Sequence, residues 1–214
     1  NADDGQELFY LLSPINTAQS AAVLSFNTGA SNMAVATATP VPSPTPTPTP
    51  TPSPSPDVAL GLAPGELSIA RSTVPLAAAT ATATGGSETK RSPALPIELN
   101  GVSVSINGAA AGLYFVGNSE KQINFVVPIG SAAGVGNVVV NILDAGANTD
   151  TALHGLVPIT TAQPDIFSST GDANGNAIAV NVTNPNQRLG PPFNVTSAYA
   201  SGNTVPTVLE LSLT

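Results

Sequence analysis

Residues 99–142 read LNGVSVSINGAAAGLYFVGNSEKQINFVVPIGSAAGVGNVVVNI, and their alternation decides the fold class. Side chains along an extended chain point to opposite faces in turn, so VSVSI puts Val102, Val104 and Ile106 on one face and Ser103 and Ser105 on the other. The dipeptides Asn100-Gly101 and Asn107-Gly108 bracket this run. Both residue types tolerate positive φ, which a tight hairpin turn requires, so each predicts a reversal of the chain. Working outward, the same texture recurs in ELSIA (66–70), PLAAATATAT (75–84), GLYFVG (112–117), KQINFVVP (121–128), GNVVVNIL (136–143) and TALHGLVPIT (151–160). A spacing of about 10 residues between turn signals predicts an all-β, Ig-like β-sandwich.

Composition agrees with short strands rather than helices: 21 prolines and 19 glycines accompany only 4% aromatic residues in 214. Charged residues make up 8%, against about 25% in ordinary soluble proteins, so Ser, Thr and Asn side chains or attached sugar must keep the surface hydrated. Cysteine is absent, which excludes disulfides and thiolate metal sites and predicts a bacterial exported protein rather than a stapled module. The net charge is −8, and the 5 cations are scattered over Arg71, Lys90, Arg91, Lys121 and Arg188. Nucleic-acid binding needs clustered cations and is excluded as an expectation. No apolar run reaches the roughly 20 residues of a membrane-spanning helix. Asn1 in place of Met predicts a cleaved signal peptide and an extracellular or cell-surface location.

Before Thr39 the chain offers three β-prone segments, ELFYLL (7–12), SAAVLSFN (20–27) and NMAVATAT (32–39). Proline then alternates from Pro40 to Pro56, which predicts an extended polyproline II rod rising about 3.1 Å per residue. Thr45, Thr47, Thr49, Thr51, Ser53 and Ser55 are its candidate O-glycosylation sites. After Pro164, IFSS, GNAIAVNV, PFNVTSAYA and TVPTVLELSLT add four candidate strands. The expected division is an N-terminal β segment (1–39), a polyproline linker (40–57), an Ig-like sandwich (58–160) and a C-terminal strand set (161–214) that completes a second sandwich with 1–39. In that reading the linker is a tether.

The stretch Gly101 to Val116, with Gln122-Ile123-Asn124-Phe125, Pro128, Val138 to Val140, Ala63-Pro64-Gly65 and Gln163 to Phe167, resembles a family of uncharacterised C-terminal domains on secreted acidobacterial proteins of the Solibacter type. The resemblance covers roughly residues 60–180. Two departures stand out: AAGL (110–113) where the family has APL, and VGNSEKQ (116–122) for the shorter VSPGQ turn. It implies an Ig-like or TIG-like sandwich on an exported bacterial protein and brings no activity with it.

Catalytic chemistry finds few residues. Hydrolysis needs a base beside a nucleophile or two facing carboxylates, and His154 is the single histidine, at an expected strand position. No enzymatic activity and no cofactor are expected. Asp172, Asn174 and Asn176 alternate as oxygen donors in GDANGNA, a weak Ca²⁺ candidate that lacks the glycine position and final Glu of an EF-hand; an Asx turn is the simpler reading. Asp144, Asn148 and Asp150 pose the same choice. Asn181-Val182-Thr183 and Asn194-Val195-Thr196 match N-x-[ST], and Tyr10, Tyr114 and Tyr199 are expected in or beside the core.

Two roles follow. The first is a structural subunit of an extracellular filament, self-associating by β-strand complementation and carrying glycans, with Glu7, Leu8, Phe9, Tyr10, Leu11 and Leu12, or Ala21 to Phe26, as the donor strand. The second is an adhesin or carbohydrate- or protein-binding module on a Pro/Thr stalk, with its site in the loops 118–121 and 172–176.

Overall fold

A computed structural model of the chain describes residues 23–38, 58–84, 95–144, 149–172, 174–183, 196–198 and 203–213. Strands in chain order are β1 (Leu24–Thr28), β2 (Ala34–Val35), β3 (Val58–Ala59), β4 (Leu67–Ser72), β5 (Ala81–Thr82), β6 (Glu98–Leu99), β7 (Val102–Ile106) and β8 (Ala109–Ala110). They continue with β9 (Gly112–Gly117), β10 (Gln122–Val126), β11 (Gly134–Asp144), β12 (Thr149–Ile159), β13 (Ala179–Asn181), β14 (Thr196–Ala198), β15 (Thr204–Pro206) and β16 (Leu209–Leu211). No helix occurs among the described residues, so none is long and apolar enough to cross a membrane.

Two sheets hold the core. The first runs β3-β2-β1-β4-β10-β9-β5 and the second β12-β11-β7-β6, with β8 paired to β7. All neighbours are antiparallel except β2 and β3. One apolar cluster joins the sheets: Leu24, Phe26, Leu113, Ile123 and Phe125 come from the first, and Val102, Val104, Ile106, Val138, Val140, Leu153 and Val157 from the second. This is an all-β layering of the sandwich kind.

The central motif behaves as its alternation predicts. Val102, Val104 and Ile106 are buried while Ser103 and Ser105 are only partly so, and Ile123 and Phe125 repeat the pattern on β10. Both Asn-Gly pairs sit at positive φ: 51° and 76° at Asn100 and Gly101, 50° and 83° at Asn107 and Gly108. Positive φ at both central residues is what a type I′ turn requires. At Gly101 space adds to conformation, because a Cβ would lie 2.6 Å from the Leu143 carbonyl oxygen.

The expected division into domains needs two corrections. β1 pairs with β4 along its whole length, Leu24 opposite Ser72 through Thr28 opposite Ser68. The N-terminal strands therefore complete the sheet of the 58–160 region, not that of 161–214. Burial explains the choice, since Leu24 and Phe26 fill the space over Gly155 in β12. The C-terminal strands form two small sheets of their own, β13 with β16 and β14 with β15. Second, β2 and β3 are adjacent parallel strands, with Ala34 opposite Val58 and Val35 opposite Ala59. The Pro/Thr tract, which lies outside the described residues, joins these two neighbours within one sheet and does not separate two domains.

Phe125 is the largest of the side chains closed off completely at the centre of this cluster. Phe125→Ala is expected to lower unfolding free energy by about 3–5 kcal/mol, measured by urea titration of the purified protein.

Candidate assembly edge

The second sheet ends on its longest strand. β12 has 11 residues and pairs with β11 from Gly134 opposite Ile159 to Asp144 opposite Thr149. Which of its backbone groups face outward follows from the ladder on the far side of β11. Asn107 N donates to Asn137 O at 2.9 Å and Leu143 N to Gly101 O at 2.7 Å, so the odd-numbered residues of β11 bond toward β7. Its even-numbered residues then bond toward β12, at Thr151, Leu153, Gly155 and Val157. The N–H and C=O groups of Asp150, Ala152, His154 and Leu156, with the C=O of Pro158, point away from the sheet.

Half of that edge is covered. The chain leaving β3 crosses from the first sheet to the second, where Leu62 N donates to Pro158 O and Thr160 N to Leu62 O, each at 2.9 Å. Proline at 158 fits because its missing N–H would have faced outward in any case. No strand among the described residues pairs with the other half, Asp150 to Leu156. This half carries no lysine and no proline, the usual guards of a sheet edge. The terminal strands β3, β5 and β6 of the two sheets are only two residues long.

The crossing segment is held by a buried carboxylate. Glu66 is 2% exposed, and its Oε2 accepts the Ala63 N–H at 2.7 Å, closing the turn after Leu62. Its Oε1 is buried and has no hydrogen-bond partner. Burial raises its pKa to about 7; the Ala63 bond opposes this and the nearby Asp165 charge adds to it. Asp165 is also buried, and its Oδ2 accepts the N–H groups of Ala30 and Ser31 at 2.8 and 3.0 Å. These bonds fix the turn between β1 and β2 to the segment that leaves β12. A cleft of about 410 Å³ lies between Ala63–Glu66 and Thr161–Pro164.

The residues singled out from sequence fall as follows. Glu7 to Leu12 and the six tract hydroxyls, Thr45 to Ser55, lie outside the described residues, as do Tyr10, Asn148, Asn194 and Tyr199. The alternative donor Ala21 to Phe26 is excluded, because Leu24 to Phe26 already pair with β4 in their own subunit. His154 is exposed on β12, with its backbone on the open edge and no carboxylate or cysteine cluster around it among the described residues. Asp172 shapes its own turn: its Oδ1 accepts the Thr170 hydroxyl at 2.7 Å and the Asn174 N–H at 2.9 Å. Those two bonds, the hydroxyl first, hold its carboxyl below the usual range. Asn174 and Asn176 are exposed beside it, and the Asx-turn reading accounts for the loop.

Burial separates two more of these residues. Asn181 is 3% exposed and accepts the Thr183 N–H, so a glycan on it would have no room. Tyr114, expected in or beside the core, is 50% exposed on β9. The 118–121 loop is bound to its own scaffold: Asn118 Nδ2 donates to Ala78 O at 2.6 Å and Lys121 Nζ to Thr73 O at 2.9 Å. Sequence reading missed Glu66 and Asp165. The one available signal was their charge, rare in this chain, beside Ala63-Pro64-Gly65 and after Pro164.

Comparison of the chain with protein-family models, with curated proteins and with solved structures finds no match.

The raised Glu66 pKa sets a pH dependence. The unfolded carboxyl titrates near 4.5 and the folded one near 7, so the folded state holds its proton over that interval. The stabilisation is complete below about pH 4.5 and is lost as pH rises through about 7, a fall on the order of 2–3 kcal/mol. Chemical denaturation at pH 5 and pH 8 is expected to show this fall, and Glu66→Gln, which cannot ionise, is expected to remove most of it.

Proposed function

We propose that this chain is the structural subunit of a bacterial extracellular filament or surface assembly, an Ig-like sandwich joined to its neighbours by β-strand addition and O-glycosylated on its Pro/Thr tract. The observation that carries the reading is the open half of β12. An edge of unpaired, regularly spaced donors and acceptors is a template for another extended chain, and monomeric proteins ordinarily block such edges. A heterologous contact of this kind repeats without closing and yields a fibre. The role is non-catalytic and needs no cofactor. Attached sugar suits a surface with 8% charged residues. The sequence resemblance to acidobacterial secreted domains supports an exported bacterial setting.

The adhesin reading draws less support. Its loop at 118–121 spends its side-chain donors on the chain's own carbonyls, and the 172–176 loop spends the Asp172 carboxylate on its own turn.

Purified full-length protein is expected to form fibres or large particles as its concentration is raised, followed by light scattering and negative-stain microscopy. A monodisperse monomer at millimolar concentration overturns the assembly reading.

A further inference from the structure

Resting on that assembly reading, we infer that the open half of β12, Asp150 to Leu156, is the acceptor for Glu7–Leu12 of a second copy, which adds to it as an antiparallel strand.

Elimination comes first. Of the two donor segments offered by the sequence, Leu24 to Phe26 is used inside its own subunit, which leaves ELFYLL. Length then fits: the acceptor stretch 150–156 spans seven residues and the donor 7–12 six. Four residues of the stretch, Asp150, Ala152, His154 and Leu156, turn their backbone outward, which gives alternate pairing sites along the whole donor. Reach is sufficient. Ser13 to Ala22 separate the donor from Val23, where the described fold begins, and ten extended residues span up to about 33 Å, enough to carry the hexapeptide clear of its own sandwich.

Side-chain character also matches. ELFYLL is apolar at every position but Glu7, as expected of a strand with no polar face. On the acceptor, Leu153 and Val157 are buried in the core, and on the outer face Leu156 is 37% exposed, which gives the donor an apolar side chain at that end of the stretch. Charge selects the direction. A parallel strand would bring Glu7 toward Asp150, whereas an antiparallel one brings it to Leu156 and leaves Leu12 at the Asp150 end. Like charges opposite one another on a sheet are unfavourable, so the antiparallel arrangement is preferred.

The absence of native cysteine makes the test direct. Leu12→Cys protein, which keeps Glu7 and Asp150, is mixed with Thr151→Cys or with Leu156→Cys protein under mild oxidation, so that any mixed disulfide is between copies. Abundant mixed dimer with Thr151→Cys and little with Leu156→Cys is the expected result. The reverse preference overturns the direction, and failure of both pairs while fibres still form overturns the acceptor without touching the assembly reading. A chain that never self-associates overturns the assembly reading itself.

A second variant tests the edge without cysteines. His154→Pro removes one outward N–H and none of the bonds to β11, the situation Pro158 already occupies two steps along the same strand. Its assembled fraction is expected to fall at least about tenfold, with the monomer's circular dichroism unchanged. Assembly at the parental level overturns the acceptor. Hydrogen exchange closes the remaining route: Ala152, His154 and Leu156 amides are expected to be fast in dilute monomer and slow in assembled protein. Protection already complete in the monomer means that the arm folds back on its own edge, and overturns the proposal.

Discussion

The two main sheets depend on one apolar layer pressed between them. There is no disulfide and no helix among the described residues to share the task. Aromatic residues are scarce, so valine, leucine and isoleucine at alternate strand positions supply the contact area, with Phe26 and Phe125 as the large pieces. Close packing of this kind leaves little tolerance. At Gly155 a Cβ would lie 2.9 Å from the Phe26 ring, and at Gly29 it would lie 2.5 Å from the Leu67 carbonyl oxygen. Small residues are therefore part of the fit between sheets as well as of the turns.

A layer closed on its faces is still open along its sides, and there the protein uses polar groups. The segment after β3 crosses from one sheet to the other beside β12, and its turn is pinned by Glu66 to Ala63. Asp165 answers from the chain leaving β12 and holds the β1–β2 turn through Ala30 and Ser31. Two buried carboxylates near each other oppose burial of charge, and the proton kept by Glu66 relieves that opposition below neutral pH. The side of the sandwich is stabilised by hydrogen bonds that an apolar replacement would not reproduce.

Much of this was legible in advance, and the reasons differ by element. VSVSI flanked by two Asn-Gly pairs carried its faces and both reversals openly, because alternation and positive φ are local properties. Pairing partners were not local. SAAVLSFN reads equally well as a strand for any sheet, and only the space over Gly155, filled by Leu24 and Phe26, assigns it to β4. The proline tract misled for the same reason: its composition declares an extended rod but says nothing of which strands it joins, and those strands prove to be neighbours. Glu66 and Asp165 were invisible as a pair because nearly a hundred residues separate them. His154 was read as a strand residue and lies on β12, with its backbone groups turned away from β11, a placement that no side-chain motif reports.

The same reasoning explains why the open half of β12 is informative. The strand is guarded at its C-terminal end: Pro158 withholds a donor, and the Leu62 N–H occupies the carbonyl of the same residue. From Leu156 back to Asp150 no such guard stands, although a lysine or proline at Ala152 or His154 would have met no obstacle from β11. The two ends of the strand therefore differ: Pro158 and Leu62 occupy one, while no strand besides β11 among the described residues pairs with Asp150 to Leu156. On the proposed assembly reading, that stretch is where a second extended chain meets the least resistance.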